Sequence, residues 1–421
     1  MNEGIEGTER FLSPGSGRGL RAVRHFSAGE LVFACPAYSY VLTVNEREAH
    51  CENCFSRRED LFKCGKCKQA HYCNVECQRS DWTMHKLKTV RLVARIILKQ
   101  RVTPERDPSE RLLLLSEFEA HLDKMDSEKD EMNNADIAAL HHFYSKHISD
   151  IPGDQALTEL FAQQHSIPTA GYPPHVALMN HSCSPNVIVT YKGTVAEVRA
   201  IREIDPGDEV FNSYIDLLYP TEDRKERLLD SYFFSCQCTE CTSKSKDKAK
   251  METRKLSSPP EPEKIKSMVH YAKIVIEEFR RAKHYKNILF LGLQLHFLLH
   301  FHELLEICEL SLEKMGAIFA DTNVYMLHMM YQAMGVCLYM QDWDGALRYG
   351  EKIVQPYSVH YPAYSLNVAS MYLKLGRLYL GLEKKKQGIR ALKRAVAIME
   401  MAHGKDHNYV AEVKREIEEQ K

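Results

Sequence analysis

The sequence predicts an α+β protein: a small β fold interrupted by a cysteine-rich insert and by helices, then a helical C-terminal domain. Three observations predict it. Short β-branched and aromatic runs occur on both sides of the insert. Nine of the thirteen cysteines crowd into two clusters, six in 51–77 and three in 236–241. Beyond residue 256 the chain turns helical. At 421 residues it is longer than one core usually holds, so two or three domains are expected.

The strand-like runs are "ELVFACPAYSYVL" (30–42), "NVIVTYKGTVAEVRAI" (186–201) and "DEVFNSY" (208–214), with "KG" and "PGD" as turns. Upstream, "GSGRGLRA" places glycines at 15, 17 and 19, where the backbone can take conformations closed to other residues and approach a ligand. Arg18 between them could grip a carboxylate with two parallel hydrogen bonds. Alone, this segment also reads as a flexible loop. A helical stretch from about 109 to 147 separates the cysteine-rich insert from the polar segment near residue 180.

The insert reads "CENC" (Cys51, Cys54), "CGKC" (Cys64, Cys67), "YCNVEC" (Cys73, Cys77), then His85 in "WTMHKLK". A C-x2-C knuckle points two thiolates at one tetrahedral ion, and Cys73 and Cys77 would do so from one helix face. Thiolate sets of this kind suit zinc. The N-terminal "MNEGIEGTERF" is acidic and has no apolar run, so a reducing compartment is expected, with clustered cysteines held as metal ligands rather than disulfides. Residues 51–101 carry twelve Lys/Arg against five Asp/Glu. That face could meet nucleic acid or an acidic peptide, or could simply be solvated surface. The net charge of −1 points to no dominant electrolyte partner for the whole chain.

The stretch "LMNHSCSPN" (178–186) sets Asn180, His181 and Cys183 beside a turn. These residues could be catalytic, bind a metal, or form a polar turn. The second cluster, "CQCTEC" (Cys236, Cys238, Cys241), supplies three thiolates where a closed structural zinc wants four, and Cys183 is the candidate for the fourth. Asn180 and His181 are then available for other work.

The order of these elements carries a resemblance. "NHSCSPN", "GDEVFNSYIDLLYP" and "CQCTEC" resemble the central motif, tyrosine segment and post-SET zinc knuckle of a SET domain. The cysteine-rich insert resembles a MYND finger. Together they are similar to the SET and MYND domain lysine methyltransferases over nearly the whole chain. The resemblance implies an N-terminal half-SET segment (1–50), a MYND finger (51–89), a helical insert (90–175) and a C-terminal half-SET segment (176–235). A post-SET knuckle with linker (236–255) and a helical, tetratricopeptide-like domain (256–421) complete the order.

The resemblance also implies ligands and roles. S-adenosylmethionine would sit on Gly17, Arg18 and Gly19, held by Asn180 and His181, with Ala177 and His121 near its base or ribose and Phe234 on its adenine. Tyr214 would aim its hydroxyl at the transferring methyl, and Tyr232 would help wall the lysine channel. Read without the family, these three aromatics are as well suited to a core. Zinc would be held by Cys51, Cys54, Cys73 and Cys77, by Cys64, Cys67 and His85, and by Cys183, Cys236, Cys238 and Cys241. Methyl transfer from a sulfonium to an amine is an in-line displacement, so alignment, a dry channel and a neutral lysine matter more than a strong base. The implied substrates are lysines of histones and other proteins, for a monomer of cytoplasm and nucleus. A proline-rich or other peptide could dock on the finger.

Three departures from the family pattern stand out. Where the finger asks for a cysteine four residues after His85, the chain has Thr89. The segment "FAQQHSIPTAGYPPHVALMNHSC" (161–183) is too short for the family's Asn-x-Phe element, which lines the pocket. The apolar run "NILFLGLQLHFLLHF" (287–301) has no family counterpart and falls short of the ~20 residues that span a bilayer. Such departures read as missed or misjoined exons, which sequencing the transcript across these joints would refute by returning the same segments. They leave a second function class open: a noncatalytic scaffold binding peptides through its finger and helices. A zinc hydrolase or deaminase is disfavoured, because the thiolate-rich sites look closed and no Glu flanks a His in a metal-binding spacing.

Within 256–421, "YQAMGVCLYMQDWDGALRYGEKIV" (331–354) and "LKLGRLYLGLEKKKQGIRALKRAVAIME" (373–400) resemble tetratricopeptide hairpins. Gly335 and Gly376 lie 41 residues apart, beyond the usual period of about 34, so these are degenerate hairpins. Residues 242–263 are lysine-rich, then Ser/Pro-rich, and are expected to form a linker or loosely packed helix.

Overall fold

A computed structural model describes residues 4–5, 7–42, 49–58, 60–65, 70–81, 88–102, 117–145, 151–165, 175–255, 257–288 and 294–420. It forms two compact units, Met1–Asn212 with Arg227–Ser235, and Ser213–Glu226 with Cys236–Lys421. The architecture is α+β, with the strands in the first unit and helices making up the second.

In the first unit the glycine-rich segment is the turn and second strand of a hairpin. Thr8–Ser13 pairs antiparallel with Gly17–Ala22 in continuous register from Thr8↔Ala22 to Ser13↔Gly17. Gly15 and Gly17 take φ +74° and +75°, the left-handed region that only glycine enters without strain, and this closes the turn. A second sheet orders Leu31–Pro36, Val195–Ala200 and Val187–Lys192, the last two joined through Gly193 at φ +61°. Pro36 ends the first strand by removing a ladder donor. Leu20, Phe26, Phe33, Val187, Val198 and Val210 meet in one core. Each large apolar side chain buried this way contributes about 1.5–3 kcal/mol.

Two elements differ from the sequence expectation. Residues 208–214 form isolated bridges, Arg21↔Glu209 and His181↔Asn212, rather than a strand. The reason is competition for the backbone. Val210 N donates to Leu20 O, Asn212 N to Asn180 O, and Phe211 N to the Asn186 side chain, so no single neighbour owns the segment. The expected helix over 109–147 is, where described, a 3-10 turn Leu122–Lys124 and a helix Ser127–Tyr144 capped by Asp126. Asp126 accepts from Lys129 N and starts the helix there. His121 is therefore outside any helix, with left-handed backbone at φ 51°.

The second unit runs through Pro262–Ile288, Gln294–Gly316, Val324–Tyr339, Trp343–His360, Leu366–Gly381, Lys385–His403 and Asn408–Glu419. The two expected hairpins are present as Val324–Tyr339 with Trp343–His360 and Leu366–Gly381 with Lys385–His403. Gly350 and Gly376 let these helices approach closely, since a Cβ there would meet Leu375 Cδ2 at 2.8 Å and Leu392 Cδ2 at 2.6 Å. The lysine-rich linker is tighter than expected. Its helix Asp247–Lys250 buries Lys250, whose ammonium donates to Leu217 O (2.6 Å) and Tyr219 O (3.0 Å). Residues 294–301 of the apolar run open the helix Gln294–Gly316, while 289–293 lie outside the described residues. Among the described residues no helix is long and apolar enough to cross a membrane.

Candidate functional site

The site is built on the hairpin of the first unit. The chain leaves the turn Val176–Leu178, and Asn180 reaches back to the second hairpin strand, its Nδ2 donating to Arg18 O (3.0 Å) and to Glu209 Oε1 (2.8 Å). Glu209 also accepts from Ser13 Oγ at 2.8 Å. Gly19 lies under this contact. A Cβ there would stand 2.8 Å from Glu209 Oε1, 2.9 Å from Phe11 Cε1 and 3.1 Å from Asn180 Nδ2, so glycine is required for the strand to lie this close.

From Asn180 the set extends along the chain. The ring of His181 lies 6.1 Å from that of Phe234, and its Nε2 is 3.2 Å from Cys183 Sγ. Phe233 takes φ 59°, and its ring lies 4.9 Å from that of His121. Ala177 packs half-buried against the core. Arg18 meets Asn180 and His181 meets Phe234, across more than two hundred residues of sequence, whereas His121 meets Phe233, the residue before Phe234. Gly17 has open space around it.

Tyr232 ends the helix Thr221–Tyr232, and burial raises its hydroxyl above the ordinary phenol pKa, so it stays protonated as a donor. Tyr214 lies half-buried two residues beyond the Asn212 bridge.

The Arg18 guanidinium lies 3.9 Å from Glu117 Oε1, a carboxylate that Arg10 holds at 2.6 and 3.3 Å. Glu209 and Asn186 are the residues sequence reasoning missed. Asn186 donates to Glu209 O (2.8 Å) and accepts from Phe211 N (2.7 Å), so it fixes the segment that carries Glu209. The available signal was an acid inside the apolar run "DEVF".

The cysteine-rich insert forms its own small core around Cys51, Cys64, Ala70 and Tyr72. The sulfurs of Cys51, Cys54, Cys73 and Cys77 lie within 4.8 Å of one another, a donor set that suits a tetrahedral thiophilic ion. Cys73 comes from the strand His71–Tyr72 side and only Cys77 from the helix Val75–Asp81, so the pair does not share the helix face expected of it. Their sulfurs are nonetheless 3.5 Å apart. Burial pushes Cys77 up to about 12 and raises Cys51. At Cys54 burial also acts upward, but hydrogen bonds from the Ser56 hydroxyl and amide and from the Cys51 and Cys73 thiols bring it down to about 7. A bound cation would complete the deprotonation of all four. Cys236 and Cys241 are buried and Cys238 half-buried in the second unit, and Cys183 is buried in the first. Cys64 is buried and accepts from Gln78 Nε2 at 3.5 Å, whereas Cys67 and His85 lie outside the described residues.

A glycine turn paired with an Asn-His segment, with four cysteines grouped in the insert, defines a SET-domain protein with a zinc-finger insert, and the SET domain family matches residues 17–215. The chain is 69% identical over 445 aligned positions to the N-lysine methyltransferase SMYD2-A of Danio rerio, covering 99% of both chains. It is 63% identical over 442 positions to the N-lysine methyltransferase SMYD2 of Homo sapiens, again 99% of each. To SMYD2-B of Xenopus laevis it is 61% identical over 439 positions, 98% of this chain and 99% of that one. It belongs to the SET and MYND domain lysine methyltransferase family, among its SMYD2 members. The 445 positions aligned with the Danio rerio protein exceed the 421 residues here by 24, so that relative carries residues with no counterpart in this chain.

Proposed function

We propose that the protein is an S-adenosylmethionine-dependent protein-lysine N-methyltransferase. The observation that supports the reading is the Asn180 amide bonded to the Arg18 main chain beside Gly19, with the next residue, His181, against the Phe234 ring. Such a lining suits a cofactor with a charged amino-acid end and a flat base. The bound cofactor would supply an electrophilic methyl group. The chain's own part is to orient and to desolvate: Gly17, Arg18 and Gly19 offer backbone to the amino-acid end, Asn180 and His181 hold it, and Ala177 and His121 flank the base or ribose. Phe234 offers its face to the adenine. Tyr214 and Tyr232 direct hydroxyls at the reacting centre and keep the lysine channel dry, which favours an uncharged amine. The substrates are lysines of histones and other proteins, for a monomer working in cytoplasm and nucleus.

Cys51, Cys54, Cys73 and Cys77 would hold one structural zinc, and by the family pattern Cys183, Cys236, Cys238 and Cys241 would hold another. A third, at Cys64, Cys67 and His85, is short of its fourth ligand because position 89 is threonine. Metal analysis should return about two zinc ions per chain. The domain divisions at 50, 89, 175, 235 and 255 follow the same reading.

Transfer of labelled methyl groups from S-adenosylmethionine to a histone mixture tests the reading, with Tyr214→Phe expected to lose most of the rate. Full activity in that variant would remove Tyr214 from the role. The alternative, a noncatalytic scaffold binding peptides, is favoured by one observation: the short segment before Asn180, which leaves the pocket without part of the family's lining.

A further inference from the structure

The helix Lys385–His403 separates its residues sharply by face. Gly388, Ala391, Leu392, Ala395, Val396 and Met399 are buried. Lys384, Lys385, Lys386, Arg390, Lys393 and Arg394 are all exposed. No acid occurs from 384 to 399 in a chain whose net charge is only −1, so the positive charge is local. Among the described residues none of these six side chains takes part in an ion pair or hydrogen bond. Two neighbouring acids are engaged elsewhere, Glu416 with Arg377 at 2.5 Å and Glu400 with Lys414 at 2.7 Å, which leaves Glu383 as the acid adjoining the run.

Six uncompensated cations held on one rigid face repel one another, and a polyanion relieves that repulsion. We propose that this face is a docking surface for the phosphate backbone of double-stranded DNA. Lys386, Arg390 and Arg394 recur every four residues, about 6 Å apart along the axis, and together span about 12 Å. That length matches three to four phosphates of one strand, which repeat about every 3.4 Å of duplex axis. The exposed face of 384–397 contains no aromatic residue on which an unpaired base could stack, which argues for duplex over single strand. A wide B-form groove admits a helix, whereas the narrow deep groove of duplex RNA does not. An unstructured acidic peptide would lose its own freedom to match so linear an array, whereas duplex phosphates are already in line. Such a contact positions a protein on DNA without reading its sequence.

The test is fluorescence anisotropy of the full chain with a labelled, mixed-sequence DNA duplex at about 50 and 200 mM salt. The expected result is binding that weakens steeply with salt. Combined Lys386→Gln, Arg390→Gln and Arg394→Gln should weaken it at least tenfold at low salt and lower the salt slope by about 2 to 3. The circular dichroism spectrum and methyl transfer to a free peptide should stay unchanged. A second triple, Lys384→Gln with Lys385→Gln and Lys393→Gln, carries the same expectation if the first does not fold. Wild-type affinity in a folded triple variant would overturn the proposal. So would tighter binding of poly-glutamate, of phosphatidylserine vesicles or of duplex RNA than of DNA at matched salt.

Discussion

The side-chain amide of Asn180 donates to the main-chain oxygen of Arg18 at 3.0 Å, joining residues 162 positions apart. A second bond from the same nitrogen to Glu209 makes this amide the brace between hairpin, turn and the Glu209 segment. Replacing Asn180 with Ala leaves the Arg18 carbonyl and the Glu209 carboxylate short of a donor. The expected cost is about 1–3 kcal/mol of stability, together with at least a tenfold loss of cofactor affinity. Urea unfolding and calorimetry check the two separately.

Gly19→Ala places a methyl group where Glu209 Oε1 and Phe11 Cε1 already stand, at 2.8 and 2.9 Å. The hairpin must then shift away from Asn180, at about 1–3 kcal/mol. Gly17→Ala meets no atom within 4 Å, and its cost comes from the backbone at φ +75°. The two variants should therefore differ in cofactor affinity, with Gly19→Ala much the weaker binder. Equal affinities would show that the close approach at Gly19 does not shape the pocket.

Glu52, inside the first cysteine knuckle, pairs at 3.0 Å with Arg91, and both side chains are fully buried. Arg91→Met takes the compensating charge from a buried carboxylate and should cost about 3–5 kcal/mol. Adding Glu52→Leu should recover most of the loss, because an apolar pair of similar size needs no desolvation of charge. Chemical denaturation of both variants decides it, with zinc content measured alongside, since Glu52 sits next to Cys51.

Lys250 is buried and its ammonium is depressed to about 8 from an ordinary value of 10.5, first by burial and then by Arg224 and Lys246 nearby. The unfolded chain therefore binds more protons than the folded one between these two values, and stability must rise with pH across the window. Melting temperatures of the wild type, taken relative to Lys250→Met, should climb from about pH 8 to about pH 10. A flat difference would mean that the lysine titrates as if exposed.

Much of this was legible in the sequence because it is local. Paired cysteines at fixed spacing, the Gly-x-Gly turn and Leu/Ala-spaced helices specify short-range geometry, and the sheet and the helical hairpins match the patterns that announced them. What escaped depends on partners far away in sequence. Glu209 and Asn186 matter through bonds to Ser13, Asn180 and Phe211, and no spacing rule flags an acid that closes such a network. His121 left its expected helix because Asp126 caps a new one five residues on.

The central claim is that the hairpin and the Asn180–His181 segment together hold a methyl donor despite the shortened stretch before them. Titration calorimetry of S-adenosylmethionine into the purified, zinc-loaded chain measures this without needing a substrate. Saturable heat at one site per chain, with affinity at least tenfold weaker in a folded Asn180→Ala variant, is the predicted result. A folded wild-type chain that gives no heat at any cofactor concentration would contradict it and leave the scaffold reading in its place.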